Sequence, residues 1–447
     1  MALKIFQNQN LILQVLLVNY TWKKSMNRIL VISFFYPPTG VTGSLRILKF
    51  TKYLPDFGYQ PFVLTTSLKT YGKKDYSLLN EIDSNVTVNR VDAFYLKNYI
   101  SKLKFLKLNQ ILSFIDKYFF WPDGSIFWAK KAFKVAREII LTENIKLIYT
   151  TGGPFSTHLV GLRLKKEFPQ IKWVAEFRDE WTSNPIHKTR FLRLYYEKNL
   201  ERKFISTSDH IVVISETMKE FFIKYHKLDK DKISAIYNGY DEQDFNLYKI
   251  LKNNSKKLKI LYFGSLFTKL TPEPLFKAIF NMKKTNPDLQ NILELTFIGY
   301  NGYLLKKNIK KYKLNDLVIL KKRIEHNKLF AEIGDSDILL LIIGSYRGAE
   351  RIITSKIFEY LRMQKPILAL GPEDGEVAKI LKETGSGFIV DPVNIEKIVD
   401  TLDNLIERKN SGLLESSFKM DLIKVKKFER KELTEQLAHV FEKLLSP

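Results

Sequence analysis

No cysteine occurs in the 447 residues. Disulfide scaffolds, thiolate zinc sites, iron–sulfur clusters and thiol nucleophiles are thereby excluded. Histidine is scarce, at 6 residues, and shows no metal-ligand spacing, so no metal site is expected. Only 20 glycines and 15 prolines are present, which excludes collagen-like and low-complexity classes. No apolar run reaches the roughly 18 residues a membrane-spanning helix needs. The short stretch 11–18 is interrupted by Gln14 and lacks the basic start and cleavage site of a secretory signal.

What is present is a large apolar fraction, 45%, and a strongly basic balance. Lys plus Arg number 72 against 48 Asp plus Glu, a net charge of +24. The apolar content is too high for disorder, and the length suits two to three domains. The charge favours anionic partners: phosphate-bearing substrates, anionic lipid or nucleic acid. The basic residues are scattered and no nucleic-acid motif appears, so no nucleic-acid partner is expected.

Short β-branched runs alternate with helical patterns along the chain. Strands are expected at 28–33, 61–66, 146–151, 171–177, 210–215 and 232–237. Helices are expected at 45–54, 125–142 and 155–168. Residues 1–25 read as an N-terminal extension, and the polar, Lys/Asn-rich passage 247–257 reads as a linker. The alternation then restarts, with strands at 258–263, 294–298, 318–320, 338–343, 366–370 and 387–390. The pattern predicts an α/β protein of two doubly wound, Rossmann-like domains, 26–246 and 258–423, facing across a cleft. A C-terminal amphipathic helix, 424–447, carries Leu433, Leu437, Val440, Phe441 and Leu444 at helical spacing. The segment 97–120 has apolar residues at the same spacing among lysines, the pattern of a basic core helix or of a membrane-surface helix.

Glycines cluster where strands pass into helices. Gly40 and Gly43 follow the first strand, Gly152 and Gly153 the strand ending at Thr151, and Gly264 and Ser265 the strand ending at Phe263. Such loops offer backbone N–H groups to an anion and let a ligand approach closely. Lys269 follows the Gly264–Ser265 turn, and Lys356 and Glu359 sit in one turn of a helix behind 338–343. A cation for phosphate and a carboxylate for sugar hydroxyls make chemical sense together. Arg178 and Asp179 directly follow a buried strand, and His158 opens a helix beside Gly153. Asp335 and Asp337 mimic a metal-binding pair but directly precede an apolar strand, and read as a cap.

Several blocks, in order, resemble the retaining glycosyltransferases of family 4, which have the GT-B fold. They are 33–46, Trp121-Pro122-Asp123 with Trp128, 150–158, 176–181, 214–216, 237–241, 264–272 and 355–367. The likeness runs from about Arg28 to Pro392 and is nearest to a subgroup building bacterial surface polysaccharides. It implies a metal-independent enzyme moving a sugar from a nucleotide-sugar donor to a hydroxyl acceptor, with a lipid-linked saccharide expected as acceptor and no cofactor. A cytoplasmic protein, peripheral at the inner membrane face, is expected. The resemblance places Gly43, Lys269 and Glu359 on the donor; the loop and helix-start reading adds Gly40, Gly264, Ser265 and Lys356 to them, and puts Gly153 and His158 on the acceptor side. Arg178, Asp179 and Lys269 become the catalytic candidates. Two departures stand out: Arg351 occupies the position of a second family glutamate, with Glu350 one residue away, and Arg178 that of a family histidine. The alternatives are a nucleotide-sugar epimerase of the same fold and a non-catalytic polyanion-binding protein.

Overall fold

The computed structural model describes residues 26–70, 74–92, 120–184, 191–246, 255–264, 266, 270–299, 302–322 and 326–446. The extension 1–25, the segment 97–119, most of the linker, Ser265 and Lys269 lie outside the described residues. The chain divides into two compact units. The first holds the residues up to Ile214, Phe222–Ile236 and the stretch from Leu433. The second holds Ser215–Phe221 and Tyr237–Glu432.

The first unit is built on seven strands: β1 (Asn27–Ile32), β2 (Tyr59–Thr66), β3 (Thr87–Val91), β4 (Leu147–Thr151), β5 (Lys172–Phe177), β6 (His210–Val213) and β7 (Ile233–Ala235). They form one sheet in the order β3-β2-β1-β4-β5-β6-β7, with every pairing parallel. Ile29, Leu30, Val31 and Ile32 of β1 are all buried, as a strand covered on both faces requires. Helices α1 (Thr42–Tyr53), α2 (Ile126–Glu143), α3 (Ser156–Glu167), α4 (Phe191–Thr207) and α5 (Glu216–His226) lie between the strands in the chain, α5 running from the second unit into the first.

The second unit repeats the plan with β8 (Leu258–Phe263), β9 (Leu293–Ile298), β10 (Val318–Lys321), β11 (Ile338–Ile342), β12 (Ile367–Leu370) and β13 (Gly387–Val390). Their order is β10-β9-β8-β11-β12-β13, again all parallel. Its helices are α6 (Glu273–Thr285), α7 (Tyr303–Lys311), α8 (His326–Gly334), α9 (Lys356–Arg362), α10 (Glu376–Thr384), α11 (Ile395–Asn410) and α12 (Leu422–Lys426). Its core joins Ile260 and Tyr262 of β8 to Leu275 and Ile279 of α6 and Leu402 of α11. In each sheet the strand order reverses once, between β1 and β4 and between β8 and β11. Open α/β sheets place ligands at that point, beyond the strands' carboxyl ends.

Three features depart from the sequence reading. Strand β3 escaped it because β3 is a half-exposed edge with only its last residue buried, so it lacks an apolar run. Helix α1 begins at Thr42, three residues before the expected start, and puts Gly43 in its first turn. The expected C-terminal helix is two: α12, then α13 (Arg430–Leu445). The break lies where the Tyr240 amide donates to the Phe428 carbonyl at 3.0 Å and the Tyr240 carbonyl accepts from the Arg430 amide at 2.7 Å. That exchange takes these backbone groups away from a continuous helix. Within the first unit, α13 buries Leu433, Leu437 and Phe441, and the Phe441 ring meets those of Tyr59 at 5.5 Å and Tyr149 at 5.8 Å.

Candidate functional site

β1, β4 and β5 are neighbours, so the segments following them share one edge of the first sheet. Arg178 follows β5 and reaches back over the end of β4. Its Nε donates to the Gly152 carbonyl and its Nη2 to the Gly153 carbonyl, each at 2.8 Å. Its Nη1 presses on the first turn of α1, where a Cβ on Gly43 would fall 1.3 Å away. One guanidinium therefore holds together three segments that sequence reading had noted separately. Burial lowers its pKa against the pull of Glu176 and Asp179, but a guanidinium remains cationic throughout the working range. Asp179 is solvent-exposed beside it. Surrounding protein raises its carboxyl pKa, and the Arg178 charge only partly offsets this.

Beneath this edge lies a buried polar network that sequence reading missed. Glu176, the penultimate residue of β5, pairs with Arg46 of α1 at 2.8 Å, and both side chains are fully buried. Tyr149 and Thr151 of β4 donate their hydroxyls to the two Glu176 oxygens, and Arg46 donates to the Ile236 carbonyl at 2.8 Å. Burial opposes the Glu176 charge, but Arg46 and the hydroxyls outweigh it and hold the carboxyl below its ordinary value. Asp123 accepts from the Ser156 amide at 3.0 Å and the Ser156 hydroxyl at 2.7 Å, which satisfies the first amide of α3.

His158 is fully buried, in a wall with Phe155, Phe177 and Phe204. It cannot meet an acceptor unless that wall opens. The Thr150 hydroxyl accepts from Trp173 Nε1 at 2.9 Å and pairs with His158 Nδ1 at 2.8 Å. Burial lowers the His158 pKa to about 3, so the ring is neutral at pH 7. Gly153 presents its carbonyl to Arg178, and Gly40 is exposed in the loop before α1, where a Cβ would meet only ordinary contact with Leu78.

The second unit carries a matching arrangement. Gly264 ends β8 with φ +116°, a conformation that side chains disfavour, and Lys356 of α9 lies against it. A Cβ on Gly264 would fall 2.6 Å from both Cε and Nζ of that lysine. The Lys356 ammonium donates to the Tyr262 hydroxyl at 2.8 Å and sits 4.3 Å from the centre of the same ring. Among the described residues no carboxylate lies within salt-bridge distance of it. Burial lowers its pKa to about 8, against the pull of Glu359. Glu359 is raised to about 7, mainly by burial, with Lys356 working the other way.

Arg351 pairs with its neighbour Glu350 and covers the Phe221 ring at 4.2 Å. Asp337 accepts from the Lys259 amide at 2.9 Å and from Lys409 at 2.8 Å, while Asp335 pairs with Lys259 at 2.7 Å. Lysines and backbone thus engage both aspartates, as a strand cap requires.

Comparison with known proteins agrees with this architecture. Residues 46–244 match the glycosyltransferase family 4 profile, and residues 244–418 match that of glycosyl transferases group 1. An uncharacterized glycosyltransferase of Methanocaldococcus jannaschii is 24% identical over 423 residues, 89% of this chain and 94% of its own. Among solved structures, a Rickettsia africae glycosyltransferase superposes with a TM-score of 0.62 at 16% identity, covering 94% of this chain and 99% of that one. Sucrose-phosphate synthase of Thermosynechococcus elongatus superposes with a TM-score of 0.65 at 13% identity, with the same coverage. Two parallel-sheet units, both profiles and a relative along most of the chain agree: this protein belongs to the GT-B glycosyltransferases.

Proposed function

We propose that the protein moves a sugar from a nucleotide-sugar donor to a hydroxyl acceptor, with retention at the anomeric carbon and without a divalent metal. The observation that carries the donor assignment is the half-buried Lys356 ammonium, set against Gly264 at the carboxyl edge of β8 and held by a phenol. Departure of a nucleoside diphosphate builds negative charge on the leaving phosphate. A fixed cation in a poorly solvated site stabilises that charge strongly. Lys356 takes this role together with Lys269, which the family resemblance places on the diphosphate, and with the Gly264–Ser265 turn. Glu359, one turn along α9, accepts hydroxyls of the ribose or sugar.

The reading is a front-face transfer. The bond from the anomeric carbon to the phosphate oxygen breaks, and the acceptor oxygen bonds to that carbon on the same face. The acceptor proton passes to Asp179, a carboxylate exposed beside Arg178 at the carboxyl end of β5. Arg178 shapes the Gly152–Gly153 turn beside it. The family resemblance and the +24 charge support a lipid-linked saccharide as acceptor and work at an anionic membrane face inside the cell. Among the described residues no helix is long and apolar enough to cross a membrane.

The test is a panel of nucleotide sugars screened by thermal stabilisation, followed by proton NMR of the product formed with an acceptor. The expected result is one stabilising donor and a product with the donor's anomeric configuration, formed only when acceptor is present. Isomerised donor formed without any acceptor would replace the transferase by an epimerase.

A further inference from the structure

Scattered exposed apolar side chains are ordinary, but a cluster on one helix turn is not. At the start of α4, Phe191 is 82% exposed, Leu192 74% and Tyr195 64%, with Tyr196 exposed beside them. The cluster continues off the helix. Tyr196 meets Trp121 at 5.4 Å between ring centres, and the adjoining Phe120 meets the exposed Phe127 at 5.2 Å.

The exposed charges of α4 itself have one sign. Both acids of α4, Glu197 and Glu201, are buried: Glu197 pairs with Arg193, and Glu201 accepts from the Thr182 hydroxyl. The exposed charged residues of α4 are Arg202 and Lys203. They lie seven positions beyond Tyr195 and Tyr196, two turns along the same face. Lys130 stands over the Phe127 ring at 5.8 Å, with Lys131 and Lys134 also exposed on α2.

We infer that the start of α4, with Trp121 and Phe127, is the face by which this protein lies on an anionic lipid bilayer. Aromatic and aliphatic side chains enter the headgroup boundary while Arg202, Lys203 and Lys130 contact lipid phosphates. Phe, Tyr and Trp suit that boundary because each has a large apolar body, and Tyr and Trp add a polar end. Charge complementarity selects a lipid surface: the face shows cations round an apolar centre, with the acids of its helix turned inward. The inference rests on the membrane-borne acceptor proposed above and gives it a place on the molecule.

Co-sedimentation of the full chain with vesicles tests it. Pure phosphatidylcholine vesicles are compared with vesicles containing phosphatidylglycerol. Wild type is expected to bind the anionic vesicles in a salt-sensitive manner and the neutral ones weakly. The triple variant Phe191→Ser, Leu192→Ser, Tyr195→Ser should lose binding by at least roughly tenfold. The pair Arg202→Glu, Lys203→Glu replaces only exposed charges, so it keeps the test valid if the triple variant folds poorly. It should lose roughly tenfold or more on anionic vesicles, with thermal stability unchanged. Variant binding equal to wild type, or no wild-type binding to either vesicle, overturns the inference. So does a concentration-dependent dimer that these substitutions abolish, which assigns the face to a second copy. Transfer to a soluble acceptor is measured in parallel. Transfer without vesicle binding removes the docking face alone, and vesicle binding without transfer from any nucleotide sugar removes the transferase reading alone.

Discussion

Arg178 occupies the space that any side chain at Gly43 would need: a Cβ there would lie 1.3 Å from Nη1 and 2.3 Å from Cζ. The two residues follow different strands, and each is fitted to the other. In the first turn of α1 a helix former would ordinarily be welcome, since alanine favours helices over glycine by about 1 kcal/mol. Here packing reverses that preference.

Gly43→Ala should therefore destabilise the first unit by about 1–3 kcal/mol, because the guanidinium must leave the Gly152 and Gly153 carbonyls. Activity should fall by about a hundredfold through misplacement of that turn. Adding Arg178→Ala should recover part of the stability, as a double-mutant cycle by chemical denaturation would report. If the two substitutions proved simply additive, the coupling would not exist.

On the proposed reading Lys356 and Glu359 set a pH window. Donor binding would need Lys356 protonated, below its pKa of about 8, and Glu359 ionised, above its pKa of about 7. Because the two groups interact, the macroscopic values belong to the pair. The profile of kcat/KM should be bell-shaped and centred between those limits. Glu359→Gln should flatten the acid limb, and Lys356→Ala should remove the alkaline one while lowering kcat on the order of a hundredfold. A profile with both limbs unchanged in both variants would remove the pair from the site. The stability sign is separate. The depressed Lys356 pKa means that its charged form costs folding free energy below about pH 8, and that this cost fades as the pH rises toward the unfolded value.

Breaking the Arg46–Glu176 pair leaves one buried charge alone. Arg46→Met or Glu176→Gln should each cost about 3–5 kcal/mol in denaturant unfolding, and the double substitution less than their sum. Glu176 has a folded pKa below its unfolded value. Its contribution is thus fully present above the ordinary carboxylate range and is lost as the pH falls through the lowered value. Acid unfolding of Glu176→Gln should accordingly be less steep than that of wild type.

Chelation tests the proposed source of charge stabilisation. Transfer should proceed at an unchanged rate after extensive EDTA treatment if, as proposed, lysine side chains neutralise the leaving diphosphate. Loss of activity that magnesium or manganese restores would show that a metal carries that charge.

Sequence determined the paired α/β architecture because its signals are local. Runs such as Ile29–Ile32 and Ile338–Ile342 are wholly buried strands and read as such from residue type alone. Glycines at strand ends and the cation on α9 were also legible, since each sits within a few residues of the strand or helix end that positions it. Tertiary structure alone decided what those residues touch. Arg46 and Glu176 are 130 residues apart, and Lys356 and Tyr262 are 94 apart. Only parallel pairing of distant strands brings such groups together, and nothing in either residue's neighbourhood names its partner. Tertiary structure also withdrew His158 behind an aromatic wall and divided the C-terminal helix at the Tyr240 backbone, because both outcomes depend on segments packed from elsewhere in the chain.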